Sequence, residues 1–141
     1  MISYRTIFFG SACNNRCVGC RAEGDIAGPT TDGLIRQVEH LDKLENVAFV
    51  GGEPTLFNDL VSLVSQIRGR GVRRIKVVTN GRRLGDMNFL SGLIDAGCRV
   101  FEVKIEGARP EVHEAVTGVR GSFGETFQAL ENLTSLARSP R

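Results

Sequence analysis

The sequence has no apolar run approaching the roughly 18 residues needed to span a bilayer. It also has nothing that reads as a leader, because the polar Ser3, Tyr4 and Arg5 run straight into a strand-like segment. It lacks an excess of charge of one sign: 18 Lys and Arg face 16 Asp and Glu, for a formal net charge of +2. That balance is too near neutral to make nucleic acid an obligatory partner. Histidine is scarce, and neither His40 nor His113 lies near a cysteine in the chain. The expectation is a cytoplasmic protein with no membrane or nucleic-acid partner. With 141 residues, 41% hydrophobic and 24% charged, the chain is long enough for one core and marginal for two.

The cysteines are unevenly placed. Cys13, Cys17 and Cys20 form a CxxxCxxC cluster, whereas Cys98 stands alone. In a reducing compartment, clustered cysteines are better read as metal ligands than as disulfide partners.

Around that cluster the pattern alternates between strand and helix. Residues 4–10 (YRTIFFG) are β-branched and aromatic and end in glycine, as a strand does before a loop. The cysteine loop fills 11–30. Thr30, Thr31 and Asp32 signal a helix start, and Leu34, Ile35, Val38, Leu41 and Leu44 recur at helical spacing up to Asn46. VAFVGG (47–52) is a short strand of the fully buried kind. Pro54 and Asn58-Asp59 lead into a second helix carrying Leu60, Leu63, Val64 and Ile67, stopped by Gly69 and Gly71. A third strand over Ile75–Val78 ends at Thr79-Asn80-Gly81. A third helix carries Phe89, Leu90, Leu93 and Ile94 and closes at Gly97. The fourth strand is 99–105, and a helical region from about Pro110 to Ala137 is broken near 118–124.

Four consecutive βα units predict an α/β fold: a parallel four-stranded sheet with helical crossovers, in sequential order 1-2-3-4, with the helices on one face. Four parallel strands cannot close a barrel. The expected domain, residues 1–141, is therefore part of a larger TIM-like one.

In a parallel α/β sheet, chemistry sits at the C-terminal ends of the strands. The groups expected on that rim are the three cysteines, Gly51-Gly52-Glu53-Pro54, Asn80, and Lys104 with Glu106. Cys98 precedes its strand and falls at the opposite rim, as a small buried apolar group. Three thiolates from one short loop can hold three irons of a [4Fe–4S] cluster and leave the fourth open to an exogenous ligand. The competing reading, zinc, prefers four tetrahedral ligands and has no nearby histidine. Paired glycines let a ligand approach the backbone closely, and Glu53 offers a carboxylate to a ligand's ammonium.

CxxxCxxC after the first strand and GGEP after the second resemble the radical SAM superfamily. The likeness extends through VVTNG (77–81) and FEVKIEGARPEVHEAVTG (101–118) to GSFGETFQALENL (121–133). The resemblance implies a partial (β/α)6 TIM-like barrel, of which this chain holds about four of six units. It implies an enzyme that binds a [4Fe–4S] cluster and S-adenosylmethionine and cleaves the latter reductively to a 5′-deoxyadenosyl radical, which abstracts hydrogen from a substrate. By that resemblance Cys13, Cys17 and Cys20 bind the cluster, and Glu53 with the backbone of Gly51 and Gly52 holds the methionine ammonium. Asn80, Lys104 and Glu106 stand near the rest of the cofactor. A reductant such as flavodoxin or ferredoxin, and a peptide or small-molecule substrate, are the implied partners. Two residues depart from the family pattern: Gly19 replaces an aromatic before the third cysteine, and Lys104 replaces a small hydroxyl residue.

Plainer readings stand beside these. The alternative to the enzyme is a non-catalytic iron–sulfur module, or a truncated remnant of such an enzyme, whose open fourth strand exposes an edge that a partner or a second copy would cover. A Lys–Glu pair at a strand end is often only a solvated contact. Arg68, Arg70, Arg73, Arg74 and Lys76 read as solvated surface, Arg82 and Arg83 as surface charge on the active rim, and His113 as a packing residue.

Overall fold

The computed structural model describes residues 2–20, 27–41 and 46–138. Four parallel strands, β1 (Arg5–Phe8), β2 (Asn46–Val50), β3 (Arg74–Thr79) and β4 (Val100–Val103), pair in the order β1-β2-β3-β4. Between and after them come α1 (Thr31–Glu39), α2 (Leu60–Gly69), α3 (Met87–Ala96), α4 (Pro110–Thr117) and α5 (Ser122–Arg138). The expected α/β architecture and strand order hold, and the sheet is consistent with part of a TIM-like barrel.

The register explains the layering. Ile7, Phe49, Val77 and Phe101 lie side by side across the four strands. Successive strand residues face opposite ways, so this row, with Val47 and Ile75, shares one face. That face joins Leu34 and Val38 of α1, Leu60, Leu63, Val64 and Ile67 of α2, and Leu90 and Leu93 of α3 in one buried core. The other face carries Phe8, Lys76, Val78 and Glu102, and remains half-open. There Lys76 pairs with Glu102 at 2.8 Å and lies over the Tyr4 ring. Phe8 and Val78 of this face border a cavity at the C-terminal end of the sheet.

Local chemistry sets the element ends. Thr30 caps α1 by accepting the Gly33 N–H at 3.1 Å, and Asp86 caps α3 by accepting those of Asn88 and Phe89. The first helix stops at Glu39, short of its predicted end. Leu41 N–H turns back to Val38 O (3.0 Å), tightening the last turn. Leu44 lies outside the described residues, and Asn46 opens β2 instead of closing a helix. Ladder-like bonds from Phe9 N–H to Val50 O and from Gly52 N–H to Gly10 O carry the β1–β2 pairing past the regular strands. The predicted break near 118–124 is real: Gly118, in the left-handed region, ends α4, and Ser122 starts α5. Two short 3-10 turns, Pro54–Leu56 and Arg82–Gly85, were not foreseen. They hold the loops after β2 and β3. The long α5 returns over the second of them, with Asn132 Nδ2 donating to Leu84 O and Gly85 O.

Candidate metal centre

Cys13, Cys17 and Cys20 follow β1 and line one cavity of about 620 Å³ at the C-terminal rim of the sheet. The backbone of Gly51 and Gly52 after β2, Thr79 and Asn80 at the end of β3, and Lys104 and Glu106 after β4 line the same space. Every strand end read as chemical thus meets in one place, of a size suited to a small ligand. Cys98 does not. It is buried at the start of β4, its Sγ donating to Ile75 O at 3.5 Å, and burial pushes its thiol up to about 12.

The cysteine loop is held on several sides. Arg16 N–H donates to Thr117 O (2.8 Å) and Val18 N–H to Val116 O (2.9 Å), tying it to the end of α4. Glu53 N–H donates to Ala12 O at 2.8 Å. The glycine pair makes this approach feasible. A Cβ on Gly52 would lie 2.2 Å from Ala12 O and 2.4 Å from Ser11 O, and Gly51 sits at φ +139°, where only glycine is comfortable.

All three cysteines are free thiols, Cys13 and Cys20 exposed and Cys17 half-buried. The Cys17 thiol is pushed up first by burial, then by the charges of Cys13, Glu106 and Cys20. The three sulfurs and Glu106 therefore share one electrostatic neighbourhood. Among the described residues no three His, Cys, Asp or Glu side chains converge on a single ion position.

Glu53 is only 3% exposed. Its Oε1 accepts from Thr55 N–H (3.1 Å), Thr55 Oγ1 (2.6 Å) and Thr79 Oγ1 (2.6 Å), and its Oε2 accepts from Asn80 N–H at 2.7 Å. An ionised carboxylate has about four acceptor positions. Oε1 is fully used, and Oε2 keeps one lone pair beside the cavity-lining Asn80. This carboxylate caps the 3-10 turn and ties β2 to β3, a structural task that its motif alone does not reveal.

Asn80 works in three directions. Its Nδ2 donates to Asn14 Oδ1 at 2.7 Å, its Oδ1 accepts from Arg82 N–H, and its carbonyl accepts from Thr126 Oγ1 of α5. Lys104 and Glu106 are exposed at the cavity mouth. Glu106 N–H donates to Nδ1 of the buried His113, which packs edge-on against Phe123. His113 is thus the packing residue expected, with the further task of fixing the loop that carries Glu106.

Arg82 and Arg83 are not solvated surface charge. Arg82 bonds Asn14 O, Asn15 Oδ1 and Glu125. Arg83 bonds Thr55 O and lies over the Phe89 ring. The only sequence signal for either was its place directly after a strand's C-terminal end.

A parallel α/β sheet with three free thiols and a glycine-backed cavity on its C-terminal rim has the architecture of an α/β protein whose ligand site lies at the strand ends. The comparisons give the family. The radical SAM superfamily profile matches residues 7–139. A probable GTP 3′,8-cyclase of Metallosphaera sedula is 35% identical over 115 residues, covering 77% of this chain and 36% of the relative. A GTP 3′,8-cyclase of Synechococcus elongatus is 30% identical over 142 residues (94% and 42%). The mycofactocin maturase MftC of Mycobacterium ulcerans is 32% identical over 130 residues (88% and 34%). The chain belongs to the radical SAM superfamily, a family of enzymes whose members generally bind a [4Fe–4S] cluster and S-adenosylmethionine and use a reductant. It spans about two fifths or less of the length of these relatives. No described helix is long and apolar enough to cross a membrane.

Proposed function

We propose that this chain binds a [4Fe–4S] cluster through Cys13, Cys17 and Cys20 and S-adenosylmethionine beside it, as the core of an enzyme that starts hydrogen abstraction from a substrate. The observation that carries the reading is the convergence of the three cysteines with Gly51, Gly52, Asn80, Lys104 and Glu106 on one cavity. When bound, the two groups would supply one electron, delivered by a reductant, and a sulfonium to receive it, the chemistry of reductive S-adenosylmethionine cleavage.

The residues bind and orient. Cys13, Cys17 and Cys20 would hold the cluster through their thiolates, with S-adenosylmethionine bound beside it. Gly51 and Gly52 bring the backbone to the cavity wall without a side chain in the way. The remaining lone pair of Glu53 Oε2 would accept from the methionine amino group, while the bonds of Thr55 and Thr79 to Oε1 and of Asn80 to Oε2 keep the carboxylate aimed. Lys104, a cation at the mouth, pairs with the cofactor carboxylate. Glu106, fixed through His113, and Asn80 take up hydroxyl groups.

The protein works in the cytoplasm, where thiols remain reduced, with a small electron carrier such as flavodoxin or ferredoxin as donor. The relatives' names indicate different reactions, a GTP cyclisation and a mycofactocin maturation, and the substrate is read from neither.

The test is 5′-deoxyadenosine formation by the anaerobically reconstituted, reduced chain given S-adenosylmethionine. Product that vanishes with Cys17→Ala supports the reading. An intact cluster without product removes the cleavage and leaves an iron–sulfur binding module.

A further inference from the structure

Arg82 reaches the cysteine loop from behind. It does not line the cysteine cavity. It borders a second one, of about 510 Å³, together with Asn14, Glu125 and Gln128. Its side chain is 15% exposed, so its charge is largely withdrawn from solvent. One edge of the guanidinium donates through Nη1 to Asn14 O and, at 3.1 Å, to Asn15 Oδ1, while Nε pairs with Glu125 of α5. Asn14 and Asn15 stand between Cys13 and Cys17. Asn15 is buried, and its N–H points to Cys13 Sγ at 3.4 Å. Asn80 adds a second tie, holding Asn14 Oδ1 while accepting from Arg82 N–H. On its other flank the loop is fixed by the backbone bonds of Arg16 and Val18 to the end of α4.

We propose that Arg82 is a positioning residue that sets the Cys13–Cys17 spacing before any metal arrives. A free loop must lose its conformational entropy when it takes up a ligand. A loop already spanned between α5 and α4 has lost it on folding, and so binds more tightly. The planar fork of arginine can serve Glu125 in one direction and the loop in another, whereas a lysine ammonium, one point charge on a flexible stem, cannot hold both. The effect on the cluster rests on the reading of the three cysteines given above. The effect on the loop does not.

The experiment compares wild type with Arg82→Ala, Arg82→Lys and, as neighbour control, Arg83→Ala. It has two readouts: amide exchange of residues 14–18 in the metal-free chain, with the β2 amides as internal reference, and loss of reconstituted iron to a chelator. The expected result for Arg82→Ala is exchange at 14–18 and iron loss each about tenfold faster, with β2 unchanged. Arg82→Lys, the milder variant if alanine impairs folding, should lie close to alanine, and Arg83→Ala close to wild type. Wild-type exchange and iron retention in both Arg82 variants would overturn the proposal. So would an equal effect of Arg83→Ala. If the wild type takes up no iron, the cluster reading fails while the exchange comparison still decides the role of Arg82.

Discussion

Replacing Glu53 by glutamine changes one atom's chemistry and tests the account of its carboxylate. In the native protein Oε1 receives three donors and Oε2 receives Asn80 N–H. An amide keeps its oxygen for the three donors only by placing its NH₂ against Asn80 N–H, donor facing donor at 2.7 Å. Flipping the amide only moves the conflict, because the Thr55 and Thr79 hydroxyls can turn to accept from the NH₂ but the Thr55 N–H then faces it. The variant loses one charge-assisted bond, about 1.5–3 kcal/mol, and leaves buried donors unpaired at about 1–3 kcal/mol. Aspartate does not restore the geometry, since the shorter side chain cannot reach Thr79 and Asn80 together while capping Thr55. The expected loss for Glu53→Gln is about 3 kcal/mol, a large part of a typical domain's stability. The assay is urea unfolding of the metal-free chain followed by circular dichroism, where this loss lowers the midpoint by about 1–2 M at an m value of about 2 kcal/mol/M. A loss below about 1 kcal/mol would refute the claim that this carboxylate fastens β2 to β3, and would leave it only a part in ligand binding.

Gly52→Ala should destabilise the metal-free chain by about 2–4 kcal/mol, because its Cβ would strike the carbonyls of Ala12 and Ser11, and only the cysteine loop can move aside. Measured by the same unfolding, a loss under about 1 kcal/mol would show the loop to be loosely docked. Cys98 gives a pH prediction. Its thiol keeps its proton to about 12 when folded, against an ordinary value of 9.0. The unfolded chain therefore loses that proton first, and the contribution is complete below pH 9 and declines as pH rises toward 12, at up to about 1.4 kcal/mol per pH unit. Cys98→Ala should flatten this alkaline decline relative to wild type, and parallel stability curves between pH 8 and 10.5 would contradict it. Asp86→Ala should cost about 1 kcal/mol by removing the cap of α3, read as a shift in the thermal midpoint of the metal-free chain.

The sequence by itself determined the fold class, the strand order and the family. Short β-branched and aromatic runs and period-3.6 apolar patterns, punctuated by Gly and Pro, encode the elements locally. A parallel sheet of successive βα units has few alternative orders, so VAFV and IKVV fell where expected. The rim motifs were equally legible, because the C-terminal ends of parallel strands meet in any such sheet. What only the tertiary structure decided is how those rim residues are used. Glu53 reads as a ligand group from its motif, yet its oxygens are mostly taken by Thr55, Thr79 and Asn80, partners that a linear motif does not reveal. Arg82 reads as a surface charge until α5 folds back and places Glu125 beside it. His113 shows nothing of its hold on Glu106 until α4 packs under that loop. The physical reason is common to all three. Apolar patterning acts through burial, which is non-directional and averaged over many residues, whereas a hydrogen bond needs two particular atoms within about 3 Å. Which atoms meet is settled only when elements distant in the chain come together.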